Sequence, residues 1–164
     1  MARAELSIIL IAQNESARLA ACLDSVKWAD EIVVVDGGSS DDTVAIARRF
    51  TDRVFVNPWP GYAAQKQWSL ERATREWVFS IDADEVVTPA LRTEIESVLA
   101  GSPEHDGYTV PRLSTFLGRI MRHGGWYPDR QLRLLRRTRA RLSTRRVHEG
   151  FLVSGSVGRL QTSP

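Results

Sequence analysis

Residues 31–50 read EIVVVDGGSSDDTVAIARRF, and this stretch decides the fold. It begins with an apolar run of the kind that forms a strand buried on both faces. Gly37 and Gly38 then allow a sharp turn and a close approach of the backbone to a ligand. The last ten residues have apolar side chains at helical spacing, with Ser40 or Asp41 as the predicted N-cap. A strand, a turn and a helix in this order predict one βα unit of a parallel sheet.

The same alternation continues across the first hundred residues. Further strands are predicted at residues 5–12, 53–57 and 76–82, and further helices at residues 15–26, 61–74 and 88–100. The last helix has Thr88 as its predicted N-cap and Pro89 at its first position, where proline is favoured. These repeats predict an α/β fold, in which helices flank a mainly parallel sheet. After residue 101 the sequence predicts loops and antiparallel strands instead.

Charge is distributed unevenly along the chain. Residues 1–111 hold 10 Lys/Arg and 18 Asp/Glu, whereas residues 112–164 hold 12 Arg and two acidic residues, Asp129 and Glu149. Arginine suits forked contacts with phosphate groups, but it also pairs well with carboxylates. Two interpretations therefore remain open: the arginines bind an anionic ligand, or they pair with the acidic half of the chain.

Composition excludes several classes of protein. The chain is 43% hydrophobic and 26% charged, and no stretch approaches the roughly 18 apolar residues that a membrane span needs. Cys22 is the single cysteine, so an internal disulfide and a multi-cysteine metal site are excluded, and we expect it to be a buried helical residue. The start of the chain does not resemble a signal peptide. These features predict a cytoplasmic globular domain.

Polar clusters follow each predicted strand, and in a parallel sheet such strand ends converge on one edge. The clusters are Asn14-Glu15, Asp36-Gly37-Gly38, Asn57 and Asp82-Ala83-Asp84. Two carboxylates spaced two residues apart at a strand end can converge on one hard cation, Mg²⁺ or Mn²⁺. The alternative is an acidic loop that caps the next helix. The patterns G-x-G-x-x-G and G-x-x-x-x-G-K are missing, which argues against a dinucleotide fold and a P-loop.

The segments SIILIAQNE, IVVVDGGSSDDT, GYAAQKQWSLERA and WVFSIDADE together resemble the nucleotide-sugar transferases of glycosyltransferase family 2. The later segments GGWYPDRQLRLLRR and VHE resemble its lipopolysaccharide core β-glucosyltransferase subgroup. The resemblance covers roughly residues 5–160. It implies one domain of the GT-A type over residues 1–164, with a nucleotide-sugar-binding half (1–101) and an acceptor-side half (102–164). Relatives of this kind run longer, so the acceptor half is expected to be incomplete.

The resemblance also implies roles for particular residues. Contacts with the nucleotide sugar are expected from Asn14, Glu15, Asp36, Gly37, Lys66, Asp82 and Ala83, with Glu15 the stronger candidate of the first pair. Asp36 would contact uracil or ribose, and Asp82 would face ribose and metal-bound water. Asp84 would be the principal metal ligand, with His148 as a further metal or diphosphate contact.

An inverting transfer needs a base that takes the proton of the acceptor hydroxyl. Asp129 lies in the region where family members place this base, and it follows the aromatic residues Trp126 and Tyr127. The family usually has an acidic pair there, whereas this chain has Pro128-Asp129, so Glu149 stays open as an alternative.

Two further residue groups have alternative interpretations. Arg130, Arg133 and Arg136 alternate in one predicted strand, and those on its site-facing side could clamp the diphosphate or an anionic acceptor. Alternatively, they form a solvated strand face. Trp59 and Trp68 are predicted to be packing residues rather than sugar platforms.

We therefore expect a metal-dependent, inverting transferase that uses a UDP-sugar donor and a saccharide or glycolipid acceptor, in lipopolysaccharide core or cell-envelope glycan synthesis. The main alternative is a fragment that binds nucleotide but transfers nothing. A pyrophosphorylase would need a glycine-rich loop after the first strand, and none is present. No nucleic acid partner is expected, because RNA-binding motifs are missing. Residues 116–126 could rest on the inner membrane face or form a plain surface turn.

Overall fold

The computed structural model describes residues 3–112, 115–116, 119–120, 129–143 and 150–164. The helices are α1 (Leu19–Val26), α2 (Thr43–Ala47), α3 (Tyr62–Arg72) and α4 (Pro89–Ala100), with a short 3-10 turn at Arg137–Arg139. The first strands are β1 (Leu6–Ala12), β2 (Glu31–Asp36), β3 (Val54–Val56), β4 (Trp77–Ser80) and β5 (Gly107–Arg112). The later strands are β6 (Thr115–Phe116), β7 (Arg119–Ile120), β8 (Asp129–Arg136), β9 (Ala140–Leu142), β10 (Phe151–Val153) and β11 (Val157–Arg159).

A seven-stranded sheet forms the centre of the fold, with the strand order β11-β5-β8-β4-β1-β2-β3. Strand β1 pairs in parallel with β2 and β4, β2 with β3, and β5 with β11. Strand β8 runs antiparallel to its neighbours β4 and β5. Two small antiparallel ribbons, β6–β7 and β9–β10, lie outside this sheet. The predicted α/β architecture with a mainly parallel sheet is confirmed.

The reversed direction of β8 decides which of its residues reach the polar edge of the sheet. Phe79, near the end of β4, lies opposite Leu134, and Arg112, at the end of β5, lies opposite Asp129. The first residues of β8 therefore lie at the edge where β1, β2 and β4 end. In this way the arginine-rich part of the chain meets the acidic strand ends.

Both faces of the central strands are covered, which explains their continuous apolar sequences. All seven residues of β1 are buried, and their side chains alternate between two core clusters. Helices α1, α2 and α4 cover the face that contains Ile8 and Leu10. Helix α3 and the β9–β10 ribbon cover the face that contains Ile9 and Ile11. Each fully buried side chain of this size contributes about 1.5–3 kcal/mol to stability.

Helix α2 is shorter than predicted, and the predicted N-cap, Ser40 or Asp41, is wrong. Thr43 is the first helical residue, and Asp42 precedes it without a capping hydrogen bond from its side chain. Asp41 instead accepts hydrogen bonds from the amide and hydroxyl of Thr43 and from the amide of Ser16. These bonds, those from Thr43 first, hold the pKa of Asp41 well below its usual range. The aspartate therefore braces the turn before the helix.

Helix α4 begins as predicted. The hydroxyl oxygen of Thr88 accepts a hydrogen bond from the amide of Leu91 at 3.3 Å, and Pro89 is the first helical residue. Helix α1 starts at Leu19, later than predicted, because residues 16–18 form a turn. In the described ranges, none of the helices has the length and hydrophobicity that a bilayer crossing requires.

A buried carboxylate joins distant segments at the opposite edge of the sheet. The side chain of Glu31 is 5% exposed and lies 3.0 Å from the guanidinium of Arg53. It also accepts hydrogen bonds from the hydroxyl of Ser7 and from the amide and hydroxyl of Thr74. Burial alone would raise the pKa of Glu31, but these hydrogen bonds and the charge of Arg53 outweigh it, so the pKa is lowered. The ionised form therefore stabilises the fold.

We expect Glu31→Gln to lower the free energy of unfolding by about 1–3 kcal/mol at neutral pH, because it leaves buried donors unpaired. A lowered folded-state pKa means that the stabilisation is present above the unfolded-state pKa of about 4.3. It is lost as the pH falls through the folded-state pKa. Urea denaturation of both proteins across this range checks the expectation. A difference that does not shrink on acidification would contradict it.

Candidate functional site

A first cavity of about 390 Å³ opens at the edge where β1 and β4 end. Its walls are formed by Ile11, Ala12, Gln13, Glu15, Trp59, Tyr62, Asp82, Ala83 and Asp84. Four of the residues expected to form the site, Glu15, Asp82, Ala83 and Asp84, are therefore brought together. They meet because β1 and β4 are neighbours in the sheet.

Asp82 is surrounded by donors from the protein itself. Lys66 Nζ lies 3.0 Å from Asp82 Oδ1, and Arg133 Nη2 lies 3.2 Å from Asp82 Oδ2. The hydroxyl of Tyr62 donates a longer hydrogen bond to Oδ1 at 3.3 Å. Lys66 also lies 4.7 Å from the centre of the Tyr62 ring. The predicted site residue Lys66 thus reaches the cavity wall through Asp82.

Arg133 is buried beneath the loop after β4, with only 4% of its side chain exposed. Its two terminal nitrogens, Nη1 and Nη2, donate hydrogen bonds to the Glu85 carboxylate at 2.7 and 2.9 Å, and Nη1 also donates to the carbonyl of Ser80 at 3.1 Å. Glu85 in turn accepts a hydrogen bond from the amide of Asp82 at 3.0 Å. Charge-assisted, forked bonds of this kind are stronger than neutral ones and restrict geometry. They hold the loop that carries Asp82 and Asp84.

Asp84 differs from these two carboxylates. Its side chain is 49% exposed, and its described ion-pair partner, Arg18, is 66% exposed and 3.8 Å away. A pair that is so long and so exposed contributes little. Of the three carboxylates in this loop, Asp84 therefore has the weakest electrostatic partner.

Asp84 fits a hard cation, because Mg²⁺ takes one or two carboxylates and completes its shell with water and substrate phosphates. Within the described residues, no group of three or more His, Cys, Asp and Glu side chains could hold a metal ion. His148, the other expected metal contact, lies outside the described residues. A cation here would thus depend on ligands beyond the described carboxylate.

Asp36 is almost completely buried, with 1% of the residue exposed. Its carboxylate accepts hydrogen bonds from the amides of Gly38 and Ser39, at 2.8 and 2.7 Å, and from the hydroxyl of Ser39. In the structure these oxygens hold the turn after β2 and do not line the first cavity. Its expected contact with uracil or ribose stays a prediction.

Asn14 forms hydrogen bonds with a neighbouring loop and does not line the first cavity. It adopts a positive φ of 55°, and its side-chain oxygen accepts a hydrogen bond from the amide of Ser40 at 2.9 Å. Its own amide donates to the hydroxyl of Ser39 at 2.8 Å. Asn14 therefore ties the loop after β1 to the turn after β2, and its neighbour Glu15 is the one that faces the cavity.

Only glycine fits at position 37, because the ring of Trp59 packs directly against its backbone. A Cβ atom at Gly37 would lie 2.8 Å from Cε3 of Trp59, closer than such atoms approach. Trp59 is 42% exposed and its ring centre lies 6.4 Å from that of Tyr62 on the same cavity wall. The contact with Gly37 agrees with the prediction of a packing residue, and the exposed part of the ring also forms part of the cavity wall.

Sequence reasoning missed Trp59, Tyr62 and Gln13 as wall residues. Trp59 lies between two prolines in a loop, where apolar periodicity carries no information, and Tyr62 is simply the first residue of α3. The prediction for Trp68 agrees with the structure, because its ring packs against Phe55, with ring centres 5.7 Å apart.

A second cavity of about 440 Å³ shares the lining residue Tyr62 with the first. Its described walls are formed by Tyr62, Lys66, Ser80, Thr109, Arg130, Gln131, Leu132, Arg133, Gly150 and Phe151. Tyr62 belongs to both walls, and the ion pair between Lys66 and Asp82 connects them. The two cavities are therefore neighbours.

Of the two candidates for the catalytic base, Asp129 and Glu149, the structure describes only the first. Asp129 is the exposed first residue of β8, at the same edge of the sheet, but it lines neither of the two cavities. Glu149 lies outside the described residues, as do Trp126 and Tyr127. Most of the segment proposed for membrane contact, residues 116–126, also falls outside them.

Cys22 lies directly beneath the loop, fully buried, with its sulfur 3.5 Å from the carbonyl oxygen of Asp82. Burial first, and then the charges of Glu85, Asp82 and Asp84, raise the pKa of the Cys22 thiol to about 12. The prediction of a buried residue is confirmed, and a thiol that stays protonated is not a nucleophile.

We expect Arg133→Met to lower the free energy of unfolding by about 3–5 kcal/mol, because it leaves the half-buried carboxylates of Asp82 and Glu85 without their buried partner. Arg136→Met is the matched control on the same strand. Its guanidinium is 27% exposed and pairs with Glu76 and Asp106, so the loss should be nearer about 1 kcal/mol. Urea denaturation measures both.

The double variant Arg133→Met, Glu85→Met tests the cause. It should recover part of the lost stability, because apolar replacement of both partners removes the uncompensated charge. If Arg133→Met and Arg136→Met lose equal amounts of unfolding free energy, the burial of the Arg133 ion pairs does not increase their contribution to stability.

Comparison with known proteins gives one consistent result. The family described as "Glycosyl transferase family 2" matches residues 7–154. The lipopolysaccharide core biosynthesis glycosyltransferase LpsC of Rhizobium meliloti (strain 1021) is 39% identical over 168 residues, which cover 96% of this chain and 60% of LpsC. The chain thus spans less than two thirds of that relative's length.

Two solved structures share the fold. Staphylococcus aureus TarS 1–349 superposes with a TM-score of 0.62 at 17% identity, covering 82% of this chain and 47% of TarS. Glucosyl-3-phosphoglycerate synthase from Mycobacterium tuberculosis, in complex with Mg²⁺ and UDP, has a TM-score of 0.57 at 25% identity. That match covers 66% of this chain and 44% of the synthase. The fold is therefore of the GT-A type.

Proposed function

Because the chain belongs to glycosyltransferase family 2, we propose that it binds a UDP-sugar in the first cavity and transfers the hexose to a saccharide or lipid-linked acceptor. The transfer would invert the anomeric carbon, and residues 1–164 would act as a single domain. The relative LpsC supports an acceptor in the lipopolysaccharide core or another cell-envelope glycan. Cytoplasmic location and peripheral membrane contact stay predictions.

One observation carries this proposal: the three carboxylates after β4 are not equivalent. Asp82 and Glu85 are paired with Lys66 and Arg133 inside the protein, whereas Asp84 is half exposed on the cavity wall. An acidic loop that only capped α4 would not need a buried arginine to hold it. The arrangement presents one carboxylate, in a fixed loop, to a ligand in the cavity.

Asp84 would hold Mg²⁺ or Mn²⁺, together with the diphosphate of the donor and with His148. The bound ion would offset the negative charge that develops on the leaving UDP. The synthase crystallised with Mg²⁺ and UDP supports this choice of donor and cation. Lys66 is the nearest described cation to Asp82 and would add to the positive potential beside the diphosphate.

The nucleoside would lie against the wall formed by Glu15, Trp59 and Tyr62. Exposed aromatic rings offer stacking surfaces to a base or a sugar, and the Glu15 carboxylate can accept hydrogen bonds from it. Asp36 and Asn14 would contribute by holding the two turns that border this wall. The backbone at Ala83 lies between the two aspartates and would contact the donor sugar.

In the transfer, the acceptor oxygen forms a bond to the anomeric carbon from the face opposite UDP. The bond between that carbon and the β-phosphate oxygen breaks, and UDP leaves with the electron pair. The proton of the acceptor hydroxyl passes to a carboxylate base. We propose Asp129 for this role, because the start of β8 lies at the site edge, with Glu149 as the alternative.

A second candidate is a nucleotide-binding unit that transfers nothing by itself. The chain spans 60% of LpsC. In this second candidate, the residues that complete the acceptor side belong to the part of such relatives that the chain does not match. Binding and turnover separate the two candidates, since both require UDP binding and only the first requires transfer.

We expect UDP to bind the chain in the presence of Mn²⁺, and the affinity to fall at least about tenfold with chelator or in Asp84→Asn, because one carboxylate–metal contact is lost. Calorimetric titration measures this. Asp52→Asn, an exposed carboxylate distant in sequence from the loop, is the control and should bind as the wild type does. Metal-independent binding that Asp84→Asn leaves unchanged would contradict the assignment.

Asp129→Asn is expected to lower kcat at least about 100-fold without changing UDP affinity, because a general base contributes about 10²- to 10⁴-fold. The measurement is release of UDP from UDP-glucose with a saccharide acceptor. Exposed Glu104→Gln is the control. If Glu149→Gln shows the large loss and Asp129→Asn does not, the base is Glu149.

A further inference from the structure

The three arginines that were predicted to share one strand have different environments. Arg133 is buried and paired with Asp82 and Glu85, and Arg136 pairs with Glu76 and Asp106. These two follow the interpretation in which the halves of the chain pair with each other.

Arg130 is the exception among them. Its guanidinium donates one hydrogen bond, to the carbonyl oxygen of Leu160 at 2.8 Å. Among the residues that the structure describes, no carboxylate forms an ion pair with it. Arg130 is also half-buried rather than free in solvent, and it lines the second cavity. Its charge is therefore directed at a confined space.

The described walls of the second cavity have an excess of positive charge. Lys66, Arg130 and Arg133 contribute to its walls, and no carboxylate is found among its described lining residues. Asp82 and Glu85, which lie behind this wall, balance Lys66 and Arg133. The charge of Arg130 remains, and a low-dielectric concave wall concentrates the field of such a charge.

The remaining walls suit a sugar. Tyr62 and Phe151 offer apolar faces, and Thr109 and Gln131 offer a hydroxyl and an amide for hydrogen bonds. The volume of about 440 Å³ falls within the range of about 300–1,000 Å³ that is usual for small-molecule sites. A polyhydroxylated ring with one anionic group matches both the shape and the charge of this cavity.

We propose that the second cavity is the acceptor subsite, and that Arg130 selects an acceptor sugar bearing a carboxylate or a phosphate group. This inference rests on the proposed transferase function. The guanidinium fork matches the paired oxygens of either anion. Tyr62 is common to both cavities, so an acceptor bound beside it is next to the donor in the first cavity.

The competing occupant of the second cavity is the diphosphate of the donor itself. The position of Asp84 argues against it, because that carboxylate lines the first cavity and not the second. A cation at Asp84 would hold the diphosphate on the first side of the Lys66–Asp82 pair. The anion beside Arg130 is then a different group.

The test measures sugar binding by protein-observed NMR titration in the presence of saturating UDP and Mg²⁺. The probes are methyl β-glucuronide, glucose 6-phosphate and neutral methyl β-glucoside. The wild type should prefer at least one anionic probe over the neutral one by about tenfold or more, because hydrogen bonds to a charged partner are the stronger ones. The two anionic probes distinguish carboxylate from phosphate.

Three variants isolate the role of Arg130. Arg130→Gln should abolish the anionic preference, and Arg130→Lys should retain a part of it. Arg49→Gln, which removes an exposed arginine after α2, should bind as the wild type does. A purely structural role, through the bond to Leu160, would weaken all three probes equally and leave their ratio unchanged.

The outcomes distinguish failure of the anion-selecting subsite from failure of the proposed transferase function. If UDP binds but the anionic and neutral probes bind alike, or if Arg130→Gln leaves their ratio intact, the anion-selecting subsite is overturned and the transferase function stands. Displacement of the anionic probes by UDP would assign the cavity to the donor and also overturn the subsite. If UDP itself does not bind, the proposed function fails and the acceptor assignment fails with it.

Discussion

The buried contact between Arg133 and the loop after β4 is the interaction on which the site depends. An arginine side chain that is only 4% exposed is costly to bury unless its charge is paired, and here the guanidinium binds Glu85, Asp82 and the carbonyl of Ser80. The contact turns a run of acidic residues, which would otherwise repel one another, into a fixed loop. Asp84 can then stay exposed without the loop opening.

This contact exists because β8 runs against β4. In an all-parallel sheet the first residues of β8 would lie at the opposite edge, far from the acidic loop. The antiparallel pairing brings Arg133 and Arg130 to the edge where the parallel strands end. One reversed strand thus joins the two oppositely charged halves of the chain and contributes a wall of the second cavity.

Much of this architecture could be predicted from local sequence. Continuous apolar runs identified the buried strands, and polar residues at strand ends identified Glu15 and Asp84 as neighbours. The partner of Asp82 could not be found in this way, because Arg133 is 51 residues away and their contact depends on strand pairing. The place of Trp59 on the cavity wall could not be predicted either, because a tryptophan in a proline-rich loop has no periodicity from which its surroundings can be inferred.

The close approach of Trp59 to Gly37 has a consequence for how this site can vary. The ring occupies the volume that any Cβ at residue 37 would need. Position 37 therefore cannot gain a side chain alone, because a Cβ there requires a smaller side chain or a displaced ring at position 59. Among related chains, a non-glycine residue at position 37 should therefore occur together with a change at position 59 and should mark a cavity with a different aromatic wall.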